Sequence, residues 1–339
     1  MSTSPLLEIR DLRVQFEVYG GILKVLDGVS FRVDAGEKVG LVGETGCGKT
    51  TTMKAILRIL PMPPARITDG EIYFKGQDIL KMRAGELRKV RGKGISMIFQ
   101  DPTAALNPVF TIGQQLIPVI RHASPANRRL SRREIQQKAI APLREVALAD
   151  PERLLDSYPI QLSGGMRQRV CIGMALATDP ELLIADEPGT SLDVTIQDQV
   201  LRLLHDLVEK KGTSVILITH TLGVVREVTD RVYVMYAGNM VEVAPTPKLF
   251  TNPLHPYTQG LMEAVPRLTG GGISAGIPGR IPSYLNPPSG CRFHTRCPHA
   301  MDICRHEKPP FFKADGGHRV ACFLYDQDVD QHKEATATS

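Results

Sequence analysis

Lys38-Val39-Gly40-Leu41-Val42 runs directly into Gly43-Glu44-Thr45-Gly46-Cys47-Gly48-Lys49-Thr50, and from this stretch the rest of the chain can be read. A short apolar strand leads into a glycine-rich loop, and the loop leads into the helical run TTMKAILRIL, which starts at Thr51. The loop fits G-x-x-x-x-G-K-[ST] in the strand-to-helix setting that this motif requires. Glycines let backbone N–H groups turn inward around phosphate oxygens, and the helix that follows points its positive end at the same charge. Lys49 is expected to reach the β- and γ-phosphates of a nucleotide, and the Thr50 hydroxyl to ligate Mg²⁺. Gly43 to Thr50, with Thr51 behind them, form the expected cradle. Cys47 reads as a small residue inside the loop, within reach of a thiol reagent.

A second stretch with chemistry in it lies far downstream. Glu181-Leu182-Leu183-Ile184-Ala185-Asp186-Glu187-Pro188 reads as a buried strand that ends in two acids. A carboxylate at the end of a core strand beside a phosphate loop can hold Mg²⁺, usually through water, and Asp186 is expected in that role. Glu187, next to it, is placed to polarise the attacking water as general base.

Around these landmarks the chain reads as an α/β protein. Leu7, Ile9, Leu12, Val14 and Phe16 alternate with polar neighbours, a strand pattern with one interruption. A second strand is predicted near Val25–Val33, ending at the turn Asp34-Ala35-Gly36-Glu37. Leu182–Ala185, Ser214–Ile218 and Arg231–Met235 predict further strands with helices between them, the alternation of a parallel sheet with crossover helices. The stretch from about Thr103 to Leu162 is polar, rich in Arg and Gln, and mostly helical in period; it reads as a helical insert. From about Pro266 the texture changes to GGGISAGIPGRIPSYLNPPSGC, dense in Gly and Pro, which places a domain boundary near there. After Asp326 the sequence is polar and is expected to fray.

Composition narrows the class. The 339 residues are 42% hydrophobic and 23% charged, the balance of a folded globular protein rather than a disordered one. Against 36 acids stand 41 Lys and Arg, and a net charge of +5 is too mild for a nucleic-acid partner. The cluster Arg128-Arg129 with Arg132-Arg133 reads as a solvated helix face. No run of 18 apolar residues occurs, and MSTSPLLEIRDLRV lacks the pattern of a secretory leader, so the chain is expected to stay in the cytosol and to dock onto a membrane protein. In that compartment its six cysteines are not expected to form disulfides.

Leu162-Ser163-Gly164-Gly165-Met166 narrows the field of phosphate-loop proteins. With it the chain resembles the ABC ATPase family, whose signature is LSGGQ or a close variant. Gln100 in IFQDP, Ser191-Leu192-Asp193 and His220 in LITH follow the family order, and the resemblance covers about residues 6–250. It implies an ABC-type ATPase core with an antiparallel β subdomain and a helical subdomain (about 103–163). It also implies that ATP sits between the phosphate loop of one subunit and Ser163, Gly164 and Gly165 of its partner. A serine and two glycines at a helix start offer a hydroxyl and bare N–H groups to such an anion. By the same resemblance Gln100 senses the γ-phosphate and Mg²⁺ and couples to the membrane subunits, and His220 contacts the γ-phosphate. Phe16 or Tyr19 stacks on the adenine. The sequence departs from the common pattern at Met166, Gly189, Ser191 and Thr221; none of these removes a catalytic group.

MIFQDP-x₃-LNP, LSGGMRQRV, MYAG (Met235–Gly238) and NPLHPYTQGLMEAVPRL (Asn252–Leu268) look like the peptide-permease ATPases, and GCRFHTRCPHAMDIC like their D-type subunit. This implies a transport ATPase beneath two permease subunits, paired with a related F-type ATPase and fed by an extracytoplasmic binding protein. A soluble ABC ATPase not coupled to transport is the alternative. The expected division is an ATP-binding domain over 1–250 and a C-terminal extension over 251–339. Cys291, Cys297, Cys304 and Cys322 fall as C-x₅-C-x₆-C-x₁₇-C, without the C-x₂-C pair of a zinc ribbon. Four thiolates of a loop-rich segment can hold a [4Fe–4S] cluster, and the resemblance implies that cluster here. Zinc remains the alternative, with His294, His299, His306 and His318 available to a mixed site. This small cysteine-cluster appendage is expected to be stapled by its metal centre and to be separable from the ATP site.

Overall fold

The computed structural model describes residues 4–123, 130–190, 192–264 and 276–326. Ser191, Arg128 and Arg129, the boundary expected at Pro266 and the tail after Asp326 lie outside the described residues. In chain order the strands are β1 (Leu7–Val18), β2 (Gly21–Val33), β3 (Lys38–Val42), β4 (Ala65–Phe74), β5 (Gln77–Asp78), β6 (Ile95–Ile98), β7 (Leu182–Asp186), β8 (Ser214–Ile218), β9 (Arg231–Tyr236), β10 (Asn239–Pro245), β11 (Phe312–Lys313) and β12 (Arg319–Val320). By contact the chain falls into two compact units, Met1–Arg32, Val39–Leu80 and His220–Ser339 forming one, and Val33–Lys38 and Lys81–Thr219 the other.

In the first unit, β2, β1, β4 and β5 lie in that order, with β1 antiparallel to β4 from Leu7 opposite Phe74 to Phe16 opposite Ala65. The interruption in the β1 pattern has a physical counterpart. Between the pairs Arg10–Glu71 and Arg13–Asp69, Asp11 and Leu12 stand against Gly70 alone, a bulge with Asp11 at φ 46°. The extra residue returns Leu12 and Val14 to the face that buries Leu7 and Ile9. Each such side chain contributes about 1.5–3 kcal/mol by leaving water.

The same unit carries β3 at the side of a second set of strands, ordered β11-β12-β10-β9-β3. β3 and β9 are parallel, Val39 opposite Arg231 and Val42 opposite Val234. β9 turns back into β10 through Ala237 and Gly238, both at positive φ (43° and 79°), the conformation of a tight primed hairpin turn. A Cβ on Gly238 would stand 1.9 Å from the Val25 carbonyl oxygen, so packing as well as φ demands glycine in MYAG. β12 then pairs antiparallel with β10, Glu242 opposite Val320, so the C-terminal residues extend the set of strands that begins with the phosphate-loop strand. They also share its core: Phe293 is buried with Val42, Val232, Val234, Tyr236 and Tyr257, and its ring centroid lies 5.0 Å from that of Tyr236 and 5.5 Å from that of Tyr257.

In the second unit β7 lies between β6 and β8, parallel to both, with Ile95 opposite Leu182 and Leu182 opposite Ser214. All five residues of β7 are buried, as its unbroken apolar run predicts. The helical insert resolves into helices Pro102–Ala105, Ile112–Ala123, Arg132–Glu145 and Pro151–Leu154. Ser131 and Glu134 close a capping box at the start of the third. Asp193 caps the long helix Val194–Lys211, and Gly212, at φ 62°, ends it.

Candidate functional site

The glycine loop joins β3 to helix Lys49–Ile56 as the sequence predicts. Gly43, Gly46 and Gly48 have φ of 151°, 83° and 109°, and a Cβ on Gly43 would come within 2.1 Å of the Met235 carbonyl oxygen. Lys49 is buried and donates from Nζ to the carbonyls of Gly43 (2.7 Å) and Glu44 (3.0 Å). Thr50 and Thr51 follow, half-buried. Cys47 is fully buried beside Lys49, and burial pushes its thiol pKa up; the expectation that a reagent reaches it is not met.

Residues outside the ATP-site motifs complete the loop's surroundings. The Glu44 carboxylate accepts two hydrogen bonds from the Arg296 guanidinium, at 2.8 and 3.0 Å. Arg296 spends its other N–H groups on the carbonyls of Pro278 and Ile277 and, at 3.4 Å, on the Tyr236 hydroxyl. Hydrogen bonding to Glu44 raises the guanidinium pKa above its ordinary value. Tyr284 donates its hydroxyl to the Gly46 carbonyl at 2.7 Å, and the Glu44 N–H donates to the Tyr257 hydroxyl at 2.8 Å. Below the loop, the Gly238 N–H donates to the Cys47 carbonyl at 2.8 Å, and Arg292 donates to the Ala237 and Lys24 carbonyls. The expectation that the C-terminal segment is separable from the phosphate loop therefore fails. Its Arg296 and Tyr284 are bonded to Glu44 and Gly46, contacts more than two hundred residues apart in sequence and invisible to any local pattern.

In the second unit, buried Asp186 closes β7 and half-buried Glu187 follows at φ 46°, a left-handed conformation that costs a non-glycine residue energy. That backbone is held by the Glu187 N–H donating to the Ile218 carbonyl at 2.8 Å. The Glu187 carboxylate accepts from Gln100 Nε2 and from the Thr190 hydroxyl, each at 3.0 Å. A carboxylate only accepts, so Gln100 must face it with nitrogen and turn its carbonyl oxygen the other way. Ser163 is the N-cap of helix Gly164–Leu176, its Oγ accepting from the Met166 N–H at 3.3 Å. Ser163 and Gly164 are exposed and Gly165 half-buried. Arg167 anchors this turn, donating to the carbonyls of Pro159 and Leu162 and to the Thr103 hydroxyl. The structure thus brings Gln100 to Glu187 and the signature to the helix after Asp101.

In the first unit, Phe16 is half-buried on β1, Tyr19 is exposed at the β1–β2 turn, and His220 is exposed just before helix Leu222–Val228. The four clustered cysteines line one cavity together with His255, Phe293, His294, His299, Met301 and Phe323. All four are free thiols. Burial raises the pKa of Cys291 to about 11 and of Cys322 to about 12, and raises that of Cys297. Among the described residues no group of three or more His, Cys, Asp or Glu is arranged to hold a metal ion. His318 is not available to such a site, because its Nε2 lies 2.6 Å from the buried carboxylate of Glu242. His306 is exposed.

Comparison with known proteins adds a second line of observation. Residues 26–190 match the family described as ABC transporter, and residues 241–304 match the one described as oligopeptide/dipeptide transporter, C-terminal region. A probable peptide ABC transporter ATP-binding protein of Sinorhizobium fredii is 48% identical, the match spanning 96% of each chain. An oligopeptide transport ATP-binding protein of Bacillus subtilis is 45% identical over 96% of this chain and 90% of its own. Among solved structures, a dimeric ATP-binding cassette bound to ADP and Pi superposes with a TM-score of 0.62 at 26% identity, over 71% of this chain and 98% of that one.

Proposed function

The chain belongs to the ATP-binding proteins of ABC transporters, and from that we propose that it is the ATP-hydrolysing subunit of a peptide importer, driving uptake through partner permease subunits. The observation that carries the catalytic part is the Glu187 carboxylate at the end of a buried strand, steadied by Gln100 and Thr190. In this reading Glu187 takes the proton of the attacking water. Lys49 and the N–H groups of Gly43 to Thr51 hold the phosphates, and His220 contacts the terminal one. Phe16 or Tyr19 stacks on the adenine. Ser163, Gly164 and Gly165 face the nucleotide of a second cassette, and the exposure of Ser163 and Gly164 suits that role.

Oxygen donors suit Mg²⁺, and this chain offers the Thr50 hydroxyl, the Asp186 carboxylate and the Gln100 carbonyl oxygen that faces away from Glu187. When bound, the ion neutralises charge on the β- and γ-phosphates.

We read Cys291, Cys297, Cys304 and Cys322 as ligands of a [4Fe–4S] cluster that staples the C-terminal segment. What supports this is one cavity lined by all four thiols, among the described residues. Zinc is the alternative.

The division into an ATP-binding domain (1–250) and a C-terminal extension (251–339) belongs to the same proposal. So do an F-type ATPase as heterodimer partner, an extracytoplasmic binding protein and a peripheral place on the cytoplasmic face of the membrane. No described helix is long and apolar enough to cross a membrane. The test is reconstitution: with its permease and binding protein the chain should support ATP-dependent uptake of a labelled peptide, and Glu187→Gln should abolish it. Uptake that persists in that variant would overturn the assignment.

A further inference from the structure

We propose that the C-terminal segment is a working part of the nucleotide site, in which Arg296 and Tyr284 are positioning residues for the phosphate loop and Arg296 acts by neutralising Glu44. The inference rests on the nucleotide reading above and extends it to residues outside the ATP-site motifs.

Glu44 lies inside the loop that must accept a polyphosphate, and an unanswered carboxylate there would repel the ligand. The structure gives it an answer. Arg296 grips both carboxylate oxygens, at 2.8 and 3.0 Å, in the bidentate geometry that makes such pairs strong. The pair is partly shielded from water, the Arg296 side chain being 4% exposed and that of Glu44 27%. The guanidinium is also fixed from behind by the Pro278 and Ile277 carbonyls, so the charge is held in place rather than merely nearby. Two neutral hydrogen bonds complete the grip. Tyr284 commits the Gly46 carbonyl and Tyr257 engages the Glu44 N–H, fixing the peptide groups at the two ends of Glu44-Thr45-Gly46. The Lys24 N–H donates to the Tyr284 carbonyl at 2.8 Å, which ties the same segment to β2.

Arg296 is next in sequence to Cys297, and Cys291 and Cys297 pack against the core that contains Val42 and Tyr236.

The test is equilibrium binding of MgATP to the full-length chain. Arg296→Met should weaken binding about tenfold, because it leaves Glu44 charged and unpaired. The double variant Glu44→Gln with Arg296→Met should recover most of that loss, since the repelling charge has gone as well. Tyr284→Phe keeps the ring and removes one hydrogen bond, and should weaken binding about twofold to tenfold. In the assembled complex Arg296→Met and Tyr284→Phe should each raise KM for ATP while kcat at saturating ATP stays within about twofold. If Arg296→Met and Tyr284→Phe bind like the wild type, the inference is wrong. If the double variant is as weak as Arg296→Met alone, Arg296 acts only as a structural prop and the charge argument is wrong. Should Arg296→Met fail to fold, Tyr284→Phe decides. A wild-type chain that binds no MgATP overturns the nucleotide reading itself, an outcome distinct from the others.

Discussion

His318 and Glu242, 76 residues apart in the chain and both buried, meet at 2.6 Å. Glu242 also accepts from the N–H groups of Leu254 (2.7 Å) and His255 (2.9 Å), so one carboxylate gathers β10, the start of helix Pro256–Glu263 and the residue before β12. Glu242→Gln keeps the shape but turns an amide N–H toward these donors. It should cost about 1–3 kcal/mol of stability. Hydrogen exchange should quicken at Val320 and Ala321 more than at β7; unchanged protection there would show that the carboxylate is not what holds β12.

Glu187→Gln should abolish turnover and keep ATP binding. The amide cannot take a proton from water, while Asp186 and the loop are untouched. General-base catalysis is typically worth 10²–10⁴-fold. Steady-state hydrolysis by the assembled complex is the measurement, and more than about a tenth of the wild-type rate would place the base elsewhere.

Lys49→Ala should lower the affinity for ATP itself, because a point charge on the β/γ-phosphates is lost. Direct nucleotide binding tests it. Unchanged affinity with lost hydrolysis would make the role of Lys49 purely catalytic.

His255 gives the fold a pH dependence. Complete burial pushes its pKa down to about 4, with the Glu242 carboxylate opposing the shift, against about 6.5 in an unfolded chain. Between these values the unfolded state takes up a proton that the folded state refuses, so stability falls as pH drops from about 6.5 and levels off near 4. The gap corresponds to about 3 kcal/mol. His255→Asn keeps an acceptor for the Tyr257 N–H, which His255 Nδ1 now accepts at 3.0 Å. Denaturant unfolding of this variant should depend on pH by about one proton less over that window; equal slopes would rule His255 out.

Anaerobically purified protein should be brown, with about four irons and four sulfides per chain. Replacing any one of Cys291, Cys297, Cys304 and Cys322 by Ser should bleach it and speed proteolysis in residues 276–326. Because Arg296 adjoins Cys297, Cys297→Ser should weaken MgATP binding too. One zinc and no iron would sink the cluster.

The parts legible in the sequence are those whose physics is local. The glycine loop, the unbroken apolar run of β7 and the bulge in β1 each leave their mark within a dozen residues. Two-residue strands such as β11 and β12 carry no periodicity, and β10, buried on every residue but Pro245, lacks the alternation of a half-buried strand. Cys47 looked reachable because loop residues usually are; burial against Gly43 and Lys49 could only be seen in three dimensions. The pairing of Arg296 with Glu44 spans 252 positions, and nothing near either residue announces it.

The hairpin of β9 and β10, with β12 laid against it, also sets an order of events during synthesis. Glu44 leaves the ribosome early, but its counter-charge is residue 296, and the strand that flanks β10 is completed at residue 320. A nascent chain carries the phosphate loop for most of its translation without the groups that fix it. On the proposal above, full nucleotide affinity waits for residue 296, and a chain terminated before it should bind nucleotide more weakly even though every ATPase motif has already been translated.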